Sequence, residues 1–322
     1  MLTLRRLGYL ALLVGFAQVV FGAIVRITGS GLGCGDHWPD CYGSFTPTNN
    51  GANLLVEISH RYGAAALSLA IIALAVAAWV KRNEPGVSGV GGVLRPSVLA
   101  ILLVIVAALF GAVTVKMSLN PFVVVTHLAI AMSLLAVLVV VVVRAGGFGA
   151  GTVPARYERT LRSSRAAIGL TFLALVFGAL TANTAGAAVA CQGFPWCRTI
   201  TESGTPLYIQ VTHRIIAFLL LGHLIGIAIG VSKRGETRAV RTAAWTALGI
   251  VVIQVVVAAV MVEMHLPPTL RSLHQAVGTA LWISVVTLAA LAAGTRGMTD
   301  IERIVYESPS RGEFATPEGV AT

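Results

Sequence analysis

The sequence predicts an all-α integral membrane protein with eight transmembrane helices, arranged as two pseudo-symmetric four-helix bundles. Three observations predict it. Of the 322 residues, 56% are hydrophobic and only 11% charged, with a mean hydropathy of +0.85, whereas soluble domains carry roughly 25% charged residues. Eight apolar runs are long enough to cross a hydrocarbon core of ~30 Å at about 1.5 Å per residue. The last four runs also resemble the first four. Because the runs are continuous rather than short and alternating, the all-helical reading is preferred to a spanning β-barrel.

The first run, near 7–25, follows the basic MLTLRR. It is long for a secretory signal and no A-x-A type cleavage site follows it, so it is expected to be a retained helix. The next runs lie near 54–80, 98–115 and 122–143, and together with the first they form an expected N-terminal bundle, 1–143. Residues 144–165, rich in Gly and Arg, are the expected linker. Runs near 166–183, 207–231, 243–262 and 272–293 form a C-terminal bundle, 166–294. The remainder, 295–322, is mixed in charge and rich in Gly, Pro, Ser and Thr, and reads as a disordered cytoplasmic tail.

The formal charge is +10, and its distribution decides what it means. If the N-terminus is cytoplasmic, the inner segments hold 17 of the 23 Lys and Arg residues. The outer segments hold Arg26, Lys116, Arg198 and Arg271, and Arg61 and Arg214 fall inside spans. This bias places both termini in the cytoplasm of a bacterial plasma-membrane protein. It assigns the charge to topology and anionic membrane lipid, with no nucleic-acid role. All four cysteines, Cys34, Cys41, Cys191 and Cys197, then lie in outer loops, on the oxidising side. Two short-loop disulfides, Cys34 to Cys41 and Cys191 to Cys197, are the economical pairing. A metal site or a redox-active thiol pair are the alternatives.

The internal repeat organises the rest. FGAIVRITGS from Phe21 resembles FGALTANTAG from Phe177, at an offset of 156 residues. EISHRYGA around His60 resembles IQVTHRIIA around His213 at an offset of 153. KMSLNP from Lys116 resembles EMHLPP from Glu263 at 147, an offset that also relates His127 to His274. Each bundle has an even number of spans, so both have the same orientation, related by an axis along the membrane normal.

Helices two, four, six and eight enter from the outer side, and each carries a histidine about five residues in: His60, His127, His213 and His274. These share a level ~8 Å below the outer boundary. Intramembrane ionisable groups are costly and face the bundle interior, so a matched set of four points to a ligand. Interhelical hydrogen bonding is the plainer reading for any one of them. For the set, axial ligation of haem iron by pairs of imidazoles across a four-helix bundle fits better. Zinc would lack a complete ligand set. His223 lies on another face of its helix, suited to a packing or polar contact, and His37 and His265 fall in outer loops.

Glu57 precedes His60 by three residues, on the same helix face, where Gln210 precedes His213. The carboxylate is either a helix N-terminal charge or a proton acceptor and electrostatic stabiliser beside a substrate. The asymmetry suggests that the first bundle does chemistry and the second holds a permanent cofactor. Arg61 and Arg214 follow the histidines, as partners for haem carboxylates or as snorkelling cations.

The segments RITGSGLGCGDHWPDC, EISHR, the TH of the fourth helix, CQGFPWC, VTHR and LHQAVG together resemble the bacterial haem A synthase family, across all eight helices. The resemblance implies oxidation of the C8 methyl group of haem O to the formyl group of haem A, for assembly of terminal oxidases. By position, His60 and His127 would hold the substrate haem, His213 and His274 would ligate a haem b cofactor, and Glu57 would be catalytic. Cys34 and Cys41 match the family's outer-loop cysteine pair. His37 departs from the family's usual Asp-Trp-Pro. Haem O synthase is the expected partner, and the sequence is silent on oligomeric state. Two other classes share parts of this pattern. A non-catalytic di-haem cytochrome b would not need Glu57. A repeat-built transporter would show broken helices and a midplane site, whereas no span here has a central proline.

Overall fold

The computed structural model describes residues 1–46, 51–153 and 156–294; the expected tail 295–322 lies outside them. Eight long helices account for most of the described chain: α1 Leu2–Ile27, α2 Ala52–Val80, α3 Leu94–Lys116, α4 Pro121–Arg144, α5 Glu158–Asn183, α6 Thr205–Lys233, α7 Arg238–Glu263 and α8 Pro268–Ala292. All eight are long and apolar enough to cross a membrane. A two-residue antiparallel hairpin, β1 Cys191–Gln192 and β2 Thr199–Ile200, decorates the loop before α6.

The helices outrun the apolar stretches that predict them. α5 begins at Glu158 rather than near 166 because the turns containing Arg159, Arg162 and Arg165 are polar yet fully compatible with helix. Hydropathy detects only the part of a helix that hydrocarbon would cover. At its N-terminal end α5 is tied to the turn between α6 and α7. Thr160 Oγ1 donates to the buried carboxylate of Glu236 at 2.7 Å, and Arg234 Nε donates to the same oxygen at 2.7 Å.

The turns α3–α4 and α7–α8 have the same backbone form. Ser118 and Leu119 have φ of 49° and 60°, and His265 and Leu266 have φ of 59° and 63°. Consecutive non-glycine residues in the left-handed region are uncommon. Each pair is held by the same long backbone bond, Leu119 N to Thr114 O at 2.9 Å and Leu266 N to Met261 O at 2.8 Å. α4 then starts on an Asn120 side-chain cap with proline in its first turn, and α8 starts directly on Pro268.

Among the first four helices, α1 packs on α2 and α4, and α3 packs on α2 and α4. Among the last four, α5 packs on α6 and α8, and α7 packs on α6 and α8. The two groups meet where α4 lies on α8, flanked by α1 on α8 and α4 on α5. Met132, Leu135, Leu138, Leu281, Trp282 and Val285 form the buried seam, and Trp282 Nε1 donates to Met132 O across it at 2.8 Å. The outer faces keep Leu13, Leu69, Val76 and Phe122 exposed, a surface suited to hydrocarbon. The chain is a multi-pass membrane protein.

Candidate functional site

The site is built at one end of the bundle, where the two cysteine loops fold over helices α2 and α6. Both cysteine pairs are disulfides, Cys34–Cys41 and Cys191–Cys197, which settles the alternatives that spacing leaves open. In the first loop, the Cys34 backbone N donates to Glu57 Oε2 at 2.8 Å, and Glu57 Oε1 forms an ion pair with Arg61. Arg61 also donates to the carbonyls of Asp40 at 2.6 Å, His37 at 2.8 Å and Pro39 at 3.2 Å. In the second loop, the Cys191 backbone N donates to Gln210 Oε1 at 2.6 Å. Arg214 donates to the carbonyls of Cys191 at 2.6 Å, Gly193 at 2.7 Å and Pro195 at 3.3 Å.

Glu57 and Gln210 therefore occupy equivalent, buried places under the loops, 4% and 5% exposed. Arg61 and Arg214 donate to loop carbonyls, and Arg61 also pairs with the Glu57 carboxylate, so each ties a cysteine loop to its helix. The carbonyl partners were not foreseeable from helix spacing, because they arrive from loops some twenty residues earlier in sequence; the Glu57–Arg61 pair, four residues apart on one helix, was.

Below the loops lie the histidines. His213 and His274 face one another, ring centroids 6.4 Å apart and planes at 77°. His213 Nδ1 is 2.9 Å from the Ala174 carbonyl oxygen. As the Nδ1–H tautomer it donates there and leaves Nε2 free as a ligand atom, the usual arrangement for a metal-binding histidine. Gln254 Nε2 lies 3.1 Å from His274 Nδ1 and 3.2 Å from its Nε2, and donates to the His274 carbonyl at 3.0 Å. In the first group, Gln18 Nε2 lies 2.9 Å from His60 Nδ1 and donates to the His60 carbonyl at 2.8 Å. His127 is within electrostatic reach of His60, and its Nδ1 has no hydrogen-bond partner among the described residues.

Two glycines let the histidines seat. A Cβ at Gly22 would come 3.0 Å from His60 Cε1, and one at Gly178 would come 2.9 Å from His213 Cε1. These glycines correspond in the repeat, as do Gln18 and Ala174. The amides Gln18 and Gln254 were overlooked in the sequence, although a lone amide within an apolar run was the available signal. His223 makes the polar contact expected of it, with Nε2 2.9 Å from the Ser163 carbonyl, and His265 is an exposed turn residue.

A cavity of about 210 Å³ opens beside His213 and His274 and is also lined by Gln210, Gly178, Arg26 and Arg271. The pair suits haem iron. Iron–imidazole bonds of ~2 Å on both faces of a macrocycle put the ring centroids about 6 Å apart, against the 6.4 Å observed. Among the described residues no cluster of three or more His, Cys, Asp or Glu side chains could hold a bare ion.

The family model for "Cytochrome oxidase assembly protein" matches residues 5–286. A haem A synthase of Bacillus pumilus is 30% identical over 232 residues, covering 67% of this chain and 71% of the relative. One from Lysinibacillus sphaericus is 29% identical over 279 residues, covering 83% and 86%. One from Staphylococcus haemolyticus is 26% identical over 296 residues, covering 88% and 91%. With the match spanning all eight helices, both disulfide loops and all four membrane histidines, the chain belongs to the family of cytochrome oxidase assembly proteins that includes these haem A synthases.

Proposed function

We propose that this chain is a haem A synthase, an oxidoreductase that oxidises the C8 methyl group of haem O to the formyl group of haem A. Its relatives and family support the activity. The single observation that carries the site is the pair His213 and His274, set 6.4 Å apart on a cavity wall. His60 and His127 stand at the repeat-equivalent positions. In this reading His60 and His127 hold the substrate haem, and His213 and His274 ligate a haem b cofactor. His213 and His274 would hold the haem b, which would supply electron transfer.

The chain's own residues do the rest. The Ala174 carbonyl fixes the His213 ring, Gly22 and Gly178 clear space for the imidazoles, and the apolar helices exclude water from the reacting carbon. Glu57 lies one turn before His60, where a carboxylate stabilises positive charge developing on that carbon or takes a proton from an attacking water. Its partners, Arg61 and the Cys34 N–H, are both donors that tie the carboxylate to the first cysteine loop.

Residues 1–143 and 166–294 act as substrate and cofactor halves. The matched α3–α4 and α7–α8 turns and the recurring packing pairs support a two-fold relation between them. The positive-inside bias supports cytoplasmic termini. Haem O would be handed over directly by a haem O synthase, a relation tested by co-purification.

The deciding experiment extracts and chromatographs the haems bound to the wild type and to Glu57→Ala, each expressed with a haem O supply. The expected result is haem b with haem A or a hydroxylated haem in the wild type, and haem b with unconverted haem O in the variant. Haem b alone, two per chain in both proteins, would instead identify an electron-relaying cytochrome.

A further inference from the structure

We propose that Arg26 and Arg271 form a carboxylate clamp at the outer end of the second-half cavity, gripping the propionates of the haem held by His213 and His274. The inference rests on the haem reading of that cavity and explains why one haem stays while the other passes through.

Both guanidinium side chains line the same cavity as the two histidines. Arg26 comes from the last turn of α1 and Arg271 from the first turn of α8. Arg271 precedes His274 by three residues, so the two share a helix face, with Arg271 about 4.5 Å nearer the outer end. A macrocycle ligated by His274 would thus present its edge substituents towards Arg271. Haem has two propionates on one edge, and arginine is the side chain best matched to carboxylate geometry.

Among the described residues neither arginine is neutralised. Arg26 Nη1 donates to the Ala182 carbonyl at 3.1 Å, an interaction that leaves its charge uncompensated. Arg271 makes no side-chain hydrogen bond or ion pair among the described residues. Arg214 also lines this cavity, held by three loop carbonyls, so Arg26 and Arg271 are the two lining arginines with donors to spare. Cations on a cavity wall at a membrane boundary are costly, and a dianionic ligand removes the cost. Arg61 and Arg214, although next to the histidines in sequence, have their donors committed to loop carbonyls.

The first half has no such pair. At the repeat-equivalent positions of Arg26 and Arg271 stand Ala182 and Val124. A first-half haem would lack these two charged contacts and exchange more readily, as a substrate must. Arg26 is also supplied by α1, so the first four helices complete the binding site of the last four.

The test uses the full-length chain in detergent, with His60→Ala and His127→Ala removing the first-half ligands. It is titrated with haem b and with haem b dimethyl ester, which lacks free carboxylates. The bis-histidine Soret band reports binding. The expected result is a preference for the free acid of about tenfold or more, as charge-assisted Arg–carboxylate bonds imply. The preference should collapse in Arg26→Gln/Arg271→Gln and return in Arg26→Lys/Arg271→Lys, which separates charge from folding. Equal affinity for both haems in the parent chain, or a preference that survives the double Gln change, overturns the clamp while leaving the haem site standing. Failure of either haem to give a bis-histidine spectrum overturns the haem reading itself.

Discussion

At the first cysteine loop the Cys34 N–H is accepted by a carboxylate oxygen, and at the second the Cys191 N–H is accepted by an amide oxygen. Since Gln210 holds its loop, an amide at 57 is expected to hold the first loop as well. Glu57→Gln therefore separates anchoring from chemistry more cleanly than Glu57→Ala. If the carboxylate acts in the reaction, Glu57→Gln should keep its haem content and lose about 100-fold in haem A formation, read as the ratio of haem A to haem O in extracts. Near-normal conversion would make Glu57 a loop anchor only. Gly178→Val should lower haem b per chain, because the added carbons meet the His213 ring; an unchanged haem-to-protein ratio would show that the ring can yield. Sequence spacing alone placed Glu57 and His60 on one face, yet it did not show the carboxylate engaged by the loop above. That partner comes from a segment whose return path periodicity does not encode.

Among the elements, the eight helices were readable because a span must be long and apolar. Their ends were less so, as α5 shows by continuing through an Arg-rich turn. The loops were readable only in outline. Cysteine spacing suggested the two bridges, while the roles of Arg61 and Arg214 needed three dimensions. Arg214→Leu would remove the side-chain donor from the Gly193 and Pro195 carbonyls and leave the Cys191 carbonyl with Gln210 Nε2 alone. Bonds to charged groups are worth about 1.5–3 kcal/mol when buried, and less here because the side chain is only half-buried. Amide hydrogen exchange across residues 191–198 should quicken in this variant while α7 and α8 stay protected. Exchange unchanged from the wild type would show that the disulfide and hairpin hold the loop without Arg214.

For the whole molecule, the α4–α8 seam joins the two groups of helices, and Trp282→Phe tests it. Losing the bond to Met132 O should cost about 1 kcal/mol and lower the thermal unfolding midpoint in detergent; an unchanged midpoint would place the coupling elsewhere in the seam. A reporter fused after residue 294 should read as cytoplasmic, and one inserted between residues 45 and 51 as external. The reverse result would invert the proposed topology. The repeat was legible because motifs recur at slowly drifting offsets. What breaks the repeat was not, since comparing the halves emphasises what they share, whereas Arg26 and Arg271 matter by having no counterparts. The reach of Arg26 into the other half's cavity bears on modularity. If the gene were divided at the linker, the carboxy-terminal product expressed alone would keep both of its histidines and lack one cavity arginine. Co-expression of the amino-terminal product should restore it.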